Sequence, residues 1–557
     1  MSKSEESILV QDKTETLPLS LKLERHFSKP RYRKILDAVT IGFFILVIIG
    51  PIINIFSTLF LNIPSIYNNV FADTLMGNLQ WHNMLSALGV SFSVATIAVI
   101  VDILIGFPIA IILTRYEFRG KKILDALVDL PMAVPTSALG FSVLLFYAIF
   151  GVSPGFVLII LGHIVFTFPY IVRNLKIVLE KTDTLYEDAA RTLGASGITV
   201  FRTITLPLMK EGLVAGAILG FTRSLGETGA TLILSGLINT APIMIVGFRR
   251  QLMLPSASLL AGILISISII LLFFVKFFSR KVAFPIKSVW PGIEQKLSHK
   301  NLRRIRDFLA IIILLVLILF PAFYIVSQVF KGNVISNVFF GNDYKWAYLY
   351  TSLVASIRIG TLAVVINLLF GIPFAFIIVK RKWGRIITIL DTLLDIPIAI
   401  PSAALGFAIF LFWGPAGLGL FEPGFNMILF VHVTFTFPYM VRPIIGVLER
   451  TDKGVEEAAR TLGASNLTVF RKVTLPSIKQ GLIAGCIMVF TRSLGETGAT
   501  IVVMGSVRTI PVLIVDWVEA NSFPSAVFAS VVIIIFSAFL IILLRTVREK
   551  RKNGRGV

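Results

Sequence analysis

The chain has 557 residues, 56% of them hydrophobic and only 15% charged, with a formal net charge of +21. Soluble domains carry about a quarter charged residues, so a water-soluble globular fold is excluded. The single cysteine, Cys486, excludes an intrachain disulfide and a Cys-rich metal site.

Residues 1–35 form a polar, basic tail, and no cleavable signal is evident, because the first apolar run is too long for a signal segment. Apolar stretches long enough to cross about 30 Å of hydrocarbon as helices then recur along the chain. Twelve spans are expected, at 36–60, 84–113, 123–149, 155–172, 211–235, 257–276, 307–328, 350–379, 386–413, 424–445, 480–503 and 525–545. Numbered alternately, the loops on one side hold most of the 52 Lys and Arg, including RYRK, RRIR and REKRK. The opposite loops at 61–83 and 414–423 hold none. This positive-inside pattern puts both termini in the cytoplasm of a multi-pass plasma-membrane protein. The basic charge is then a topology signal, and no nucleic-acid partner is expected.

The chain repeats itself. HIVFTFPYIVR at 163–173 answers HVTFTFPYMVR at 432–442, LVDLPMAVPTSALGF at 127–141 answers LLDIPIAIPSAALGF at 393–407, and DAARTLGASGITVFRTITLP at 188–207 answers EAARTLGASNLTVFRKVTLP at 457–476. Two tandem units follow, 36–276 and 307–545, joined by a cytoplasmic linker at 277–306 and followed by a basic tail at 546–557. Each unit holds an even number of spans, so both enter the membrane in the same orientation. The expected fold is an all-α polytopic protein with a pseudo-two-fold axis along the membrane normal and a pathway between the units. Pro131, Pro135, Pro397 and Pro401 are expected to bend the third span of each unit.

The longest non-membrane segment of each unit, 173–210 or 446–479, lies on the basic side. Asp183 and Asp452 are candidate helix N-caps. Asp188, Ala189, Ala190 and Gly194, with Glu457, Ala458, Ala459 and Gly463, mark an acidic start, a small-residue face and a left-handed stop. Ser196 and Ser465 are candidate caps for a second short helix, which Pro207 and Pro476 are expected to close. The pattern resembles the EAA loop of permease subunits in binding-protein-dependent ABC importers, departing only in Asp188 for glutamate and Val473 for isoleucine. That resemblance implies that Asp188–Gly194 and Glu457–Gly463 are coupling helices docking on two separate ATPase subunits, with an extracytoplasmic binding protein delivering substrate. The chain holds no G-x-x-x-x-G-K-[ST] loop. It is therefore expected to be a transport subunit rather than an enzyme and to carry no cofactor, with ATP bound on the partner.

FTRSLGETGAT occurs twice, at 221–231 and 490–500, inside the fifth span of each unit. Arg223 with Glu227, and Arg492 with Glu496, stand four residues apart and are expected to share a helix face. Charge at this depth costs about 2.5–3.5 kcal/mol or more, so the group should line a pathway or gate, or pin the units together. The neighbouring glycines allow close helix approach or a local break. Arginine's fork suits oxyanions, and the segment resembles permeases for inorganic oxyanions such as sulfate, molybdate or tungstate, phosphate and phosphonate. The fused two-unit chain also resembles importers of ferric iron and of thiamine or its phosphates. A carrier driven by an ion gradient is the alternative class. His163 and His432 are read as packing residues, and FTFPY as packing with a proline bend.

Overall fold

The computed structural model describes residues 30–72, 75–278, 291–341 and 344–549. The expected N-terminal tail up to residue 29, part of the linker and residues 550–557 lie outside them. In chain order the first unit contributes α1 (Arg31–Leu61), α2 (Leu79–Arg115), α3 (Lys121–Met132), α4 (Thr136–Ala148), α5 (Phe156–Lys181), α6 (Leu185–Thr192), α7 (Gly197–Leu225), α8 (Gly229–Leu234), α9 (Ala241–Arg250) and α10 (Leu254–Phe274). Helix α11 (Pro291–Leu297) belongs to the linker. The second unit contributes α12 (Asn301–Gln328), α13 (Lys345–Lys380), α14 (Arg385–Ala399), α15 (Ser402–Trp413), α16 (Phe425–Leu448), α17 (Lys453–Thr461), α18 (Asn466–Gly495), α19 (Gly498–Val503), α20 (Ile510–Glu519) and α21 (Phe523–Leu540). Helix α1 corresponds to α12, and so on through α10 and α21. Among the described residues the regular structure is entirely helical.

Ten of these helices are long and apolar enough to cross a membrane. The third expected span of each unit is instead a bent pair, α3 with α4 at 104° and α14 with α15 at 110°. The cause is local. A proline forces the residue before it out of the helical region, and Val134 (ψ 131°) and Ile400 (ψ 137°) are extended ahead of Pro135 and Pro401. Ion pairs then hold α3 and α14 in place. Arg173 on α5 reaches Asp125 and Asp129 at 2.6 and 2.5 Å. Arg442 on α16 reaches Asp391 and Asp395, both at 2.6 Å.

The fifth expected span also departs from one straight helix. It begins at the second helix of the candidate coupling unit and runs unbroken past Pro207, so that proline does not close the unit. The missing proline N–H is absorbed by a π-turn over Phe201–Thr205, where the Leu206 N–H donates to the Phe201 carbonyl. The second unit repeats this over Phe470–Thr474, before Pro476. At its far end α7 stops at Leu225, and α8 starts only at Gly229.

The first spans are exchanged between units. Helix α1 packs on α13 and α15: Phe43 stacks on Phe370 with centroids 3.7 Å apart, Phe44 meets Phe374 and Phe437, and Asp37 pairs with Arg381 at 2.6 Å. Helix α12 packs on α2 and α4, where the Ile325 N–H donates to the Ser142 hydroxyl at 3.0 Å. Each unit is completed by a helix of the other, so the units cannot separate without exposing both faces.

Candidate gate and coupling face

Arg223 sits in the last turn of α7, and Glu227 lies in the break that follows. The two do not share a helix face, yet Arg223 Nη2 reaches Glu227 Oε2 at 2.5 Å. The other carboxylate oxygen accepts the Ala230 N–H at 3.1 Å. Helix starts leave N–H groups without partners and favour negative charge, so Glu227 both balances the arginine and caps α8. In the second unit Glu496 accepts the Ala499 N–H at 3.0 Å in the same way. Among the described residues no ion pair joins Arg492 to Glu496. The Arg492 guanidinium lies 5.4 Å from the ring centroids of both Phe435 and Tyr439, and its Nε is buried without a hydrogen-bond partner. Arg223 lies 5.5 Å from the Phe166 ring. The FTFPY motif thus gives both arginines an aromatic face, a role beyond packing.

A histidine bridges each break. His163 Nδ1 lies 2.6 Å from the Ser224 hydroxyl on α7, and Nε2 lies 3.0 Å from the Thr231 hydroxyl on α8. His432 holds Ser493 and Thr500 at the same two distances. Both histidines are buried. They staple the two pieces of a broken span to α5 and α16, which explains how a break survives inside a packed bundle. Their sequence signal was the repeat itself, since histidine, serine and threonine keep one spacing in both units.

The two copies meet at one place. Thr136, Arg223, Glu227, Ser402, Arg492, Gly495, Glu496 and Gly498 line a single small cavity between the units, about 10 Å³, near the minimum that holds one water. The chain is closed here to anything larger. Glycines form the seam around it. A Cβ on Gly229 would lie 2.7 Å from Thr497 Cβ, and one on Gly498 would lie 2.6 Å from Thr228 Cβ. Gly226 faces Pro401, and Gly495 faces Pro135, each across the seam.

On the basic end, Asp183 and Asp452 accept the N–H of Leu185 and Gly454, and Gly194 and Gly463 take φ +85° and +83°. The side chains of Ser196 and Ser465 cap the helices that follow. Asp188, Ala189, Glu457 and Ala458 are exposed, and Ala190 and Ala459 are half-buried. With them stand Leu185, Tyr186 and Leu193 on one unit and Val455 and Leu462 on the other, Leu193 and Leu462 at 87% and 88% exposure. Clustered apolar groups in water mark a contact surface. The buried acids are the neighbours that sequence reasoning passed over. Glu187 takes Arg115 at 3.0 Å and the Thr205 hydroxyl at 3.1 Å. Glu456 takes Lys380 and the Thr474 hydroxyl, both at 3.0 Å. They fasten the short helices α6 and α17 to the membrane bundle, while Asp188 and Glu457 face outward.

The family model for the inner membrane component of binding-protein-dependent transport systems matches residues 103–284 and again 367–553. The chain belongs to this family. Its two matches coincide with the two halves of the repeat, so one chain carries two permease units of an ABC importer. The sulfate transport system permease protein CysT of Salmonella typhimurium is 34% identical over 206 residues, which is 34% of this chain and 74% of that protein. The molybdenum transport system permease protein ModB of Haemophilus influenzae is 36% identical over 181 residues, 29% of this chain and 79% of that protein. The probable sulfate permease of Prototheca wickerhamii is 32% identical over 215 residues, 35% of this chain and 84% of that protein.

Proposed function

We propose that this chain is the complete translocation unit of an importer for a small tetrahedral oxyanion of the sulfate or molybdate kind. The basic end faces the cytoplasm, where α6 and α17 each dock an ATPase subunit, and a binding protein delivers substrate to the opposite face. The observation carrying the reading is the convergence of Arg223 and Arg492 on one cavity between the units. In the closed form Glu227 occupies Arg223, while Arg492 keeps an unpartnered donor. Opening the seam would present two guanidiniums to a passing anion, and arginine's planar fork matches an oxyanion in two hydrogen bonds. The glutamates set the resting charge near neutrality, so the anion passes without a deep well to leave. The sulfate and molybdenum permeases among the relatives support the substrate class.

The test is ATP-driven uptake of labelled sulfate and of molybdate into vesicles holding this chain with its ATPase and binding protein. Arg223→Met with Arg492→Met should fold, assemble and lose uptake. Retained uptake would return the arginines to a purely structural role. Uptake of ferric iron or thiamine in place of either oxyanion would overturn the substrate class. Uptake by the chain alone, driven by an ion gradient, would overturn the transporter class.

A further inference from the structure

A second cavity, about 480 Å³, lies beside α6, within the roughly 300–1,000 Å³ of small-molecule sites. It sits where α2, α5 and α12 reach the basic end of the bundle. Arg115 of α2, Arg191 of α6, and Arg303 and Arg306 of α12 line it, with two carboxylates, Glu187 and Asp188. Those acids are already used. Glu187 takes Arg115 at 3.0 Å, and Asp188 takes Arg191 at 3.2 Å. Arg306 turns to its own neighbour Asp307 at 2.6 Å. Among the described residues Arg303 meets no carboxylate, and Arg115 Nε is buried without a hydrogen-bond partner. Four guanidiniums thus stand against three carboxylates, and one positive charge is left over.

The rest of the lining is apolar, from Ile111, Leu179, Val200 and Phe201. Helix α12 carries that character away from the cavity along the membrane span. Leu309, Ile313 and Val316 follow Arg306 at spacings of three and four, so they share its helix face. All three are exposed, as are Ile305, Phe308 and Ile312 beside them. A free inorganic anion would gain from the arginines alone. A cationic pocket at the end of a span, continuous with an exposed apolar stripe, has the chemistry of a phospholipid: a charged head and an acyl chain. Basic pockets between membrane helices take anionic head groups in this way, and arginine's fork suits phosphate oxygens.

We propose that this cavity binds the headgroup of an anionic phospholipid, its phosphate on Arg303 and Arg306 and an acyl chain along the exposed face of α12. Such a lipid joins α12, which belongs to the second unit, to α2 and α6 of the first. The site stands whatever docks on α6. Its bearing on transport rests on the coupling reading above.

Native mass spectrometry of the purified full chain in detergent, without ATPase or substrate, tests the site apart from transport. Arg303→Gln with Arg306→Gln should weaken phosphatidylglycerol binding by about 30-fold. Arg119→Gln with Arg304→Gln removes the same charge outside the cavity and should bind as the parent does. All four arginines are exposed, so the fold should stand in both variants. Phosphatidylcholine should bind more weakly than phosphatidylglycerol, and inorganic phosphate should not displace the bound lipid. Unchanged binding in the first variant overturns the proposal, as does an equal loss in the second. Equal affinity for the two lipids reduces the site to an apolar groove, and displacement by phosphate makes it a free-anion site; either result also overturns it.

Discussion

The seam glycines offer the sharpest handle on gating. Gly229→Ala and Gly498→Ala place methyl groups 2.7 Å from Thr497 Cβ and 2.6 Å from Thr228 Cβ. Carbon atoms rest at about 3.5 Å or more, so each contact must lengthen by about 0.8–0.9 Å. These neighbours are Cβ atoms fixed to backbone, which cannot swing aside. Overpacking of this kind costs about 1–3 kcal/mol. The two sites share one seam, so their effects should not simply add. At 1.4 kcal/mol per factor of ten, the closed form loses about 5- to 150-fold against open forms. The assay is passive efflux of preloaded sulfate or molybdate from vesicles holding the chain without ATP. The double variant should leak more than the parent, while Gly446→Ala, where nothing lies within 4 Å of the new methyl, should not. A folded double variant as tight as the parent would refute the seam as the closing surface.

Other changes report on the supports of this seam. His163→Phe strips the buried Ser224 hydroxyl of its partner and leaves Thr231 only the Glu227 carbonyl. A buried polar group left unsatisfied costs about 1–3 kcal/mol, which should appear as a lower unfolding midpoint and lower uptake. His432→Phe should match it through Ser493, Thr500 keeping the Glu496 carbonyl. Glu187→Ala leaves Arg115, with 16% of its side chain exposed, without its carboxylate. Breaking a buried pair costs about 3–5 kcal/mol, so α6 should become the first site of limited proteolysis. Asp188→Lys with Glu457→Lys, both exposed, should leave the midpoint unchanged and cut co-purification of the ATPase. A variant that keeps full co-purification would move the docking face elsewhere.

Much of this architecture could be read from the sequence because duplication exposes what is shared. A single FTRSLGETGAT would have been an oddity; two copies at matched positions imply apposition across an axis, and the cavity bears that out. The helical stops at Gly194 and Gly463 were likewise legible, because only a left-handed turn there asks for glycine. Other features were hidden for physical reasons. An apolar span does not say which partner it packs on, so the exchange of α1 and α12 carries no local signal. Residues four apart predict a shared face only while the helix continues, and α7 stops two residues before Glu227. Proline carries no sign of whether the preceding turn can widen to absorb its missing N–H, as the π-turn before Pro207 does. Of two adjacent acids at 187 and 188, the family pattern singles out the exposed one, whereas burial picks Glu187.

Helix α7 gives this arrangement a mechanical reading. It runs 29 residues without a break, roughly 43 Å at about 1.5 Å per residue, from its cap at Ser196 to the turn that carries Arg223. Helix α6 is tied to α7 through Glu187 and the Thr205 hydroxyl, inside the π-turn. At the far end His163 ties Ser224 to Thr231, so α8 must follow α7. Helix α8 cannot follow alone. Gly229 touches Thr497, and Gly498 touches Thr228, so the two broken spans are each other's walls. Movement of one copy drives a backbone-fixed contact into the other unless that copy moves as well. If α6 and α17 carry the coupling proposed above, the reciprocity of the seam requires both to move together.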